Sequence, residues 1–454
     1  MNSDPDLYAF LALWLAAPIL LFSLYAARGK LGGFLVYSYL MGLVMNHWFG
    51  ALVHASPWSP FLDSSDTLIG FRYSTYGLLA FVLGTLVINV TRPPSTRLPR
   101  AQESRRTQLV NLGELERLVR VFFLPLGIGA WIATYTPLAA LPSAGAVLSV
   151  GKTGLLLAIC LMCWSAWHKG NTRQFYQWIG ISLVLPVITI ITSGFIGYGI
   201  AMITTILAFV AMFYRPRWHL LALLSLMLYG GVSLWVGYAE HRGNIRDAVW
   251  GGQDYGQRAD AMLSMIYALT PFDISNPRHL ELVDIRLNQN VLVGAVMRST
   301  PSLVPFRDGS TIVDGLLAVI PRALWPGKPE VGGSGNYVSD HSMIAFSAGT
   351  SIGMGQVIEF YINFGLPGII VGFFIFGMAL RYMDVRLAEA MTAGDWYGVM
   401  FFFFVGSGTL QSGGSLAEIG ASMAAGVAIY FIGIEALRFL KHYKAVDAPL
   451  RKPN

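Results

Sequence analysis

The sequence predicts an all-α polytopic membrane protein with about eleven (ten to twelve) transmembrane helices and one long extracytoplasmic loop that contains short helices. Composition is the first observation: 54% of the 454 residues are hydrophobic, 12% are charged, and the mean hydropathy is +0.55. Soluble globular chains carry about 25% charged residues. The second observation is a ladder of apolar runs as long as a bilayer is thick. The third is a single polar interruption of that ladder, at residues 239–350.

Eleven apolar runs are long enough for a helix that crosses a hydrocarbon core of about 30 Å. They lie near residues 7–27, 31–53, 74–91, 118–136, 151–167, 175–193, 195–214, 217–238, 357–380, 396–411 and 418–440. Residues 137–150 are apolar but short and contain two prolines, so they could form a re-entrant or interfacial piece. Ser193 and Gly194 separate two spans with almost no loop, which predicts a tight helical hairpin.

The basic residues predict the direction in which the chain crosses the membrane. Alternating the connections places twenty Lys and Arg residues on one side, whereas the short connections of the other side hold only Arg72 and Lys152. Cytoplasmic loops carry the excess of positive charge, so we expect the amino terminus and the polar interruption outside the cytoplasm. The predicted division is an amino-terminal bundle of about eight spans (1–238), the extracytoplasmic loop (239–350), a carboxy-terminal bundle of about three spans (351–440) and a cytoplasmic tail (441–454).

Charge and cysteine content exclude several classes of function. A net charge of +6 in a membrane chain indicates basic cytoplasmic loops, so we expect no nucleic-acid partner. Cys160 and Cys163 are three residues apart in one apolar run, where a helix leaves no geometry for a disulfide. No spacing of His, Cys, Asp or Glu is typical of a zinc or calcium site, so we expect neither a dedicated metal site nor a cofactor.

The first part of the polar interruption offers paired arginines near the lipid headgroups. Arg242 and Arg246 are four residues apart, so a helix would place both guanidinium groups on one face, where they could bind a phosphate or simply anchor the chain in the headgroups. The apolar spacing from Asp284 to Met297 predicts one amphipathic helix that lies on the membrane or packs on the spans.

The second part of the interruption contains a rigid, cationic string, Ile320-Pro321-Arg322-Ala323-Leu324-Trp325-Pro326-Gly327-Lys328-Pro329. Its prolines restrict the backbone and hold Arg322 and Lys328 at defined positions, which suits a diphosphate. Asp340 and His341 follow as an acid/base pair just before the chain returns to the membrane. A glycine-rich stretch between them lacks the spacing of a phosphate-binding P-loop.

The next span begins with Gln356-Val357-Ile358-Glu359-Phe360-Tyr361-Ile362-Asn363-Phe364-Gly365, which places three polar side chains near the outer end of a transmembrane helix. A carboxylate in that position is costly unless it is paired or functional. Glu359 could therefore be a general base, or it could orient a phosphate-binding arginine. Glu418, near the outer end of the last span, could join the site or could be an ordinary interfacial carboxylate.

The chain resembles the Wzy-type polymerases of bacterial surface polysaccharides and the related O-antigen ligases. The resemblance is carried by the one long late outer loop, by the string at 320–329, by residues 359–365, and by two Arg-x10-Gly pairs, Arg298 to Gly309 and Arg322 to Gly333. It is specific over about 300–380 and architectural elsewhere. Members of that family commonly keep both termini in the cytoplasm, so the outer amino terminus predicted here is a departure.

The resemblance implies a GT-C-type glycosyltransferase in the bacterial inner membrane that makes O-antigen, capsule or exopolysaccharide. A sugar hydroxyl of an incoming undecaprenyl-pyrophosphate-linked repeat unit would attack the growing glycan and expel undecaprenyl pyrophosphate, without a metal. We expect Arg242, Arg298, Arg322 and Lys328 to hold the pyrophosphate, His341 or Glu359 to be the base, and Arg246, Asp340, Tyr361 and Asn363 to support them. The implied partners are the lipid-linked oligosaccharide, the bilayer, a chain-length regulator and a flippase.

Three other functions remain open at this point. A ligase would use the same donor with a lipid A core as acceptor, and the sequence separates it poorly from a polymerase. A transporter or flippase of lipid-linked sugar would be expected to show repeated halves and polar residues at mid-membrane. A non-enzymic scaffold would use the outer loop to bind protein and would tolerate single arginine changes.

Overall fold

The computed structural model describes residues 5–27, 32–61, 65–91, 105–141, 143–214, 218–320, 324–325, 327, 334–346 and 352–446. Within these ranges the chain forms helices and no strands. The first eleven α-helices are α1 (Pro5–Ala27), α2 (Phe34–Leu43), α3 (Phe49–Ala55), α4 (Ser65–Thr91), α5 (Arg105–Leu118), α6 (Leu124–Ala133), α7 (Ala144–Gly151), α8 (Thr153–His168), α9 (Thr172–Ser182), α10 (Leu185–Ser193) and α11 (Ile196–Val210).

The remaining helices cover the polar interruption and the carboxy-terminal part. They are α12 (Trp218–Trp250), α13 (Tyr255–Tyr267), α14 (Pro277–Leu287), α15 (Asn290–Ser299), α16 (Ser310–Ala318), α17 (Ser334–Ser342), α18 (Gly355–Ala393), α19 (Trp396–Ser407) and α20 (Leu416–Val446). Short helices within the interruption were predicted, and α13 to α17 are such helices. α12 continues without a break past residue 238, where the loop was expected to begin.

Six stretches in the described part of the chain are long and apolar enough to cross a membrane, so the protein is an α-helical membrane protein. They are Asp6–Tyr25, Ser65–Thr91, Ala144–His168, Thr172–Ser193, Gly355–Ala393 and Leu416–Arg438. Each coincides with a predicted span. Ile196–Val210 and Trp396–Ser407 are apolar but shorter. The full count of eleven spans stays a prediction.

Two predicted spans are helical but contain a wider turn. A π-helical turn at Val44–Trp48 joins α2 to α3, and another at Val119–Phe123 joins α5 to α6. Ser193 ends α10, and Gly194 adopts a left-handed conformation (φ 74°) before α11 begins. α10 and α11 pack on each other, as the predicted tight hairpin requires.

The amphipathic helix predicted from Asp284 to Met297 is wrong in one respect, because it is two helices. α14 ends at Leu287, and α15 begins at Asn290. The Asn288 side chain donates to Thr67 on α4 (3.1 Å) and to Asp284 (2.7 Å), and the Gln289 backbone N–H donates to the Asn46 carbonyl (2.8 Å). The Asn288 N–H keeps its helical bond to the Asp284 carbonyl, whereas the Gln289 N–H bonds to a distant segment in place of the carbonyl four residues earlier.

α4 is the helix on which the polar segment and the spans meet. Its packing against α18 depends on glycines, because a Cβ at Gly84 or at Gly377 would clash with backbone of the opposite helix. Its packing against α15 is similar, since a Cβ at Gly70 or at Gly294 would also strike backbone. Backbones therefore approach closely at both contacts, as small residues permit. α15, although part of the polar interruption, is built into the bundle.

The start of α18 is tied to the loop that precedes α20. Gln356 donates to the carbonyls of Gln411 (2.9 Å) and Gly414 (2.6 Å), and its amide oxygen accepts from Tyr39 on α2 (2.6 Å). We call the end of the bundle at which α18 and α20 begin the loop end, and the opposite end of α18 the far end. The amide network places the first turns of α18 and α20 side by side at the loop end.

Candidate functional site

Polar side chains from α16, α17, α18, α20 and the segment before α16 converge at the loop end. We call them the loop-end cluster, and they are Arg307, Asp314, Tyr337, His341, Glu359 and Glu418. Two of the predicted catalytic residues, His341 and Glu359, belong to it.

The segment before α16 is fastened to the beginning of α18 by three hydrogen bonds. Tyr361 donates its hydroxyl to the Thr300 carbonyl (3.1 Å), the Arg307 backbone N–H donates to the Ile362 carbonyl (2.8 Å), and the Gly309 N–H donates to the Asn363 side chain (2.9 Å). Asn363 also donates to Thr311 (2.7 Å). Tyr361 and Asn363, predicted to support the site, thus position the backbone around Arg307.

A break in α18 supplies one of those acceptors. Phe364 and Gly365 have non-helical backbone angles, and Pro367 follows two residues later without an N–H. In an unbroken helix the Ile362 carbonyl would accept from the residue four positions ahead. The break leaves that carbonyl available to the Arg307 N–H.

His341 is buried, and only one of its ring nitrogens has a partner. Its Nδ1 lies 2.9 Å from the Thr300 hydroxyl, and the Ser299 hydroxyl donates to its backbone carbonyl. Nε2 is buried and has no hydrogen-bond partner among the described residues. Burial, and secondarily the positive charge of Arg307, lower the pKa of the imidazole below its ordinary 6.5, while Asp340 opposes the shift. A neutral ring with Nδ1–H bonded to Thr300 would present a basic lone pair at Nε2.

Arg307 is the cation of the loop-end cluster. Its guanidinium carbon lies 4.5 Å from the centre of the Tyr337 ring, and its Nε is 3.3 Å from the Ser310 hydroxyl. Tyr337 in turn donates its hydroxyl to Asp314 (3.0 Å). An arginine that is stacked on an aromatic ring keeps the planar fork of N–H donors that suits a phosphate.

Glu359 is buried and caps a helix. One carboxylate oxygen accepts from the Leu416 N–H at the start of α20 (2.6 Å), where a negative charge is favoured, and the other oxygen has no partner in the described part of the chain. Thr311 is a further hydrogen-bonding neighbour of this carboxyl group, and the charges of Glu418 and Asp314 act on it. Glu418 accepts from the Ser415 N–H (2.9 Å) and from the Ser334 hydroxyl (3.0 Å).

The predicted pyrophosphate-binding cations do not all gather here. Arg298 forms an ion pair with Asp66 on α4, although it directly precedes the residues that hold His341. Arg246 lies over the rings of Phe195 (4.5 Å) and Trp250 (4.8 Å), and Arg242 is on the same helix, α12, which packs on α10, α13 and α14. Arg322 and Lys328 lie outside the described residues. Asp340 is exposed beside His341.

Arg307, Asp314, Tyr337 and Thr300 were not singled out from the sequence. One signal was available for Arg307, because Asp308-Gly309 is a turn dipeptide directly before an apolar helical run, and such turns present the preceding side chain at a helix start. The stacking of Arg307 on Tyr337 joins residues 30 positions apart in the chain, and no local pattern reports it. Within the described ranges, no group of three His, Cys, Asp or Glu side chains is arranged to hold a metal ion.

The cluster combines the groups needed to move a proton and to hold an anion. Nε2 of His341 can accept a proton from a hydroxyl, and Arg307 can stabilise a negative charge nearby. The carboxylates of Asp314 and Glu418 can accept hydrogen bonds from neutral hydroxyl groups such as those of a sugar.

Comparison with known proteins places the chain in a family without assigning its activity. Residues 72–414 match the family described as Domain of unknown function (DUF8712), and the chain therefore belongs to that family. No curated protein matches the chain. No solved structure matches it either.

Proposed function

We propose that this member of a family of unknown function is a membrane glycosyltransferase that polymerises a bacterial surface polysaccharide. It would transfer the growing glycan from undecaprenyl pyrophosphate to an incoming lipid-linked repeat unit. The observation that supports this most directly is the buried His341 ring, whose Nε2 has no partner in the described part of the chain and lies close to the charge of Arg307 at one end of the membrane bundle. The Arg-rich sequence around 298–328 supports it as well.

The chemistry needs one base and several cations. The acceptor hydroxyl oxygen forms a bond to the anomeric carbon of the donor, and the bond from that carbon to the diphosphate oxygen breaks. The hydroxyl proton passes to the base, and the diphosphate leaves with the electron pair. A positioned base contributes about 10²- to 10⁴-fold, and fixed cations near the leaving group contribute through electrostatic stabilisation.

We assign the base to His341 rather than to Glu359. Each has one polar atom without a partner among the described residues, but His341 lies near the cation Arg307, whereas the neighbours of Glu359 are two further carboxyl groups, those of Glu418 and Asp314. Arg307 joins the proposed pyrophosphate-binding set, and Arg298 contributes less because it is paired with Asp66. Arg322 and Lys328, which follow α16 in the sequence, remain proposed ligands of the diphosphate.

The charge distribution of the connections supports a position of this cluster outside the cytoplasm, in the inner membrane of a bacterium. Twenty basic residues would lie on the cytoplasmic side, and the loop end would lie on the other. A polymerase that uses exported lipid-linked repeat units requires that side. GT-C membership and the partners named above, a chain-length regulator and a flippase, are part of the same proposal.

The deciding experiment gives the purified protein, in lipid nanodiscs, a defined undecaprenyl-pyrophosphate repeat unit and follows product length on a gel. The unaltered protein is expected to make a ladder, and His341→Gln is expected to slow it about 10²- to 10⁴-fold. His279→Gln is the matched control, because His279 is also a buried histidine of the polar segment but lies on α14 against Phe272. It should keep the rate.

Other outcomes would replace the proposal. Transfer of the glycan to a lipid A core acceptor, without a ladder, would indicate a ligase. Movement of the lipid-linked unit between leaflets without any new glycosidic bond would indicate a transporter. A folded His341→Gln protein that polymerises at the normal rate would rule out His341 as the base.

A further inference from the structure

α16 runs beside the membrane span α20 and points in the same direction. Gly315 of α16 lies against Leu416 at the start of α20. Gly420, one turn further along α20, lies against the Gly315 carbonyl and the side chains of Ala318 and Val319. Both helices therefore advance together from the loop end into the bundle. Along the helix axis, four residues span about 6 Å and the nine residues of α16 span about 13 Å.

The two sides of α16 differ in size as well as in burial. The buried side consists of small residues: Gly315 and Ala318 face α20, and Thr311 accepts a hydrogen bond from Asn363 on α18. The opposite side carries large apolar side chains, with Val313, Leu316 and Ile320 exposed by 54%, 69% and 40%. Val319, at the edge next to Gly420, is exposed by 45%. From Gly315 to Ile320 the sequence Gly-Leu-Leu-Ala-Val-Ile has no polar side chain at all.

The chain returns to the loop end after α16. The Ser334 hydroxyl donates to Glu418, which is in the first turn of α20, whereas Ala318 lies deeper, at Gly420. Leu324 and Trp325, described between these two points, are also exposed, by 79% and 37%. A short helix is re-entrant when it enters the membrane beside a span and the chain after it returns to the side where the helix began. Such a helix is tolerated within the membrane where one of its sides packs on protein.

We propose that α16 is a re-entrant helix embedded in the bilayer leaflet on the loop side, with Val313, Leu316 and Ile320 in contact with lipid acyl chains. Lipid is the occupant that fits, because the exposed face extends along a span that itself presents large apolar side chains, Phe431 and Ile432, farther down. A water-facing helix would not carry a wholly apolar second half. The proposal does not depend on the proposed enzymatic function.

One consequence concerns the depth of the loop-end cluster. Arg307 precedes α16, Asp314 is within it, and Glu418 caps its neighbour α20. If α16 is embedded, the cluster lies at the boundary between headgroups and hydrocarbon. A ligand carried on a membrane lipid reaches it from the side, without leaving the bilayer.

The test measures the surroundings of single spin labels on the full-length protein in nanodiscs of phosphatidylethanolamine and phosphatidylglycerol. Labels are placed at Leu316→Cys, at Phe431→Cys as the membrane-facing reference, and at Ile285→Cys as the matched control. Ile285 is exposed by 59% on α14, near the exposed Arg278–Glu281 ion pair. Cys160 and Cys163 are buried, and the protein without an added cysteine measures any background labelling.

The Leu316 label is expected to resemble the Phe431 label, with several-fold greater collision with oxygen, which concentrates in lipid, than with a water-soluble nickel chelate. The Ile285 label should show the reverse. A Leu316 label as accessible to the nickel chelate as the Ile285 label would overturn the proposal. Protection from both reagents would also overturn it, because a second copy or another protein would then cover this face.

Discussion

α18 carries a buried carboxyl group near each of its ends, and the two groups have different surroundings. At the far end, Asp384 accepts from the backbone N–H groups of Leu35 (2.7 Å) and Val36 (3.0 Å) at the start of α2. At the loop end, Glu359 accepts from the Leu416 N–H at the start of α20. Each carboxylate stabilises the positive end of a helix dipole.

The surroundings of the two carboxylates differ in charge. Asp384 has a buried arginine three residues earlier, Arg381, which donates to Asn89 (2.7 Å) and lies 4.0 Å from the centre of the Tyr25 ring. Glu359 has two further carboxylates nearby and an oxygen without a partner in the described part of the chain. The far end holds one buried cation near its carboxylate, although Arg381 Nη1 has no partner among the described residues. The loop end holds three carboxyl groups with the single cation Arg307, and Glu359 Oε1 and His341 Nε2 have no partner there in the described ranges. An excess of carboxyl groups with unpartnered atoms is typical of sites that bind a ligand.

The largest expected effect is at the far end. Asp384→Ala should lower the free energy of unfolding by about 3–5 kcal/mol, because it leaves a buried guanidinium and two helix-start N–H groups without the carboxylate. The measurement is unfolding in mixed detergent micelles. Glu389→Ala on the same helix removes an exposed partner of Arg386 and should cost about 0–1 kcal/mol. Equal losses in the free energy of unfolding for the two variants would show that Asp384 does not hold the far end together.

A smaller effect on stability is expected at the loop end. Glu359→Gln keeps an oxygen for the Leu416 N–H and places an uncharged amide beside the neighbouring carboxyl groups, so the free energy of unfolding should change by about 1 kcal/mol or less. Asp384→Asn, measured in the same micelles, should lower the free energy of unfolding by more, because it removes the negative charge nearest to the buried Arg381 in sequence. If Glu359→Gln instead leaves folding intact but abolishes glycan transfer, Glu359 rather than His341 is the base.

The subtlest expected effect is on the pH dependence of the proposed reaction. A base must be unprotonated, so the rate should fall as the pH drops through the pKa of His341, which burial and Arg307 hold below 6.5. Arg307→Gln removes a charge that lowers this pKa, so the acid limb should move to higher pH. Asp340→Asn removes a charge that raises it, so the limb should move to lower pH.

The position of the acid limb, rather than the maximum rate, is the quantity to compare, because Arg307→Gln should also weaken diphosphate binding. Arg307→Lys keeps the positive charge and should leave the limb close to its original position. Limbs that coincide in all four proteins would show that His341 does not control the rate.

The coarse architecture could be predicted because it depends on local composition. Apolar runs of bilayer length and the sparse charge predicted an α-helical membrane protein, and each of the six long apolar stretches lies where a span was expected. His341 and Glu359 stood out for local reasons as well, as polar side chains at a membrane boundary. The structure buries both at the loop end, and their catalytic roles stay a prediction.

Predictions that depended on partners far along the chain were less successful. The helix from Asp284 to Met297 is interrupted because Asn288 and Gln289 bond to α4 and to Asn46. Arg298 was predicted to bind pyrophosphate from its position in an Arg-x10-Gly pair. The structure pairs it with Asp66, more than two hundred residues earlier in the chain. Arg307 could not be assigned to the site from the sequence, because its backbone is positioned by a hydrogen bond to the Ile362 carbonyl at the break in α18.

The sequence by itself determined the environment of this protein, because hydropathy and helix length act residue by residue along a single segment. Only the tertiary structure decided which charges meet. Arg381 stands three residues before Asp384 on the same helix, so that neighbour is local in the sequence. Glu359 is different, because Glu418 and Asp314 reach it only where α20 and α16 begin beside the loop end of α18. Whether such a buried group is compensated depends on atoms a few ångströms away that come from helices remote in the chain.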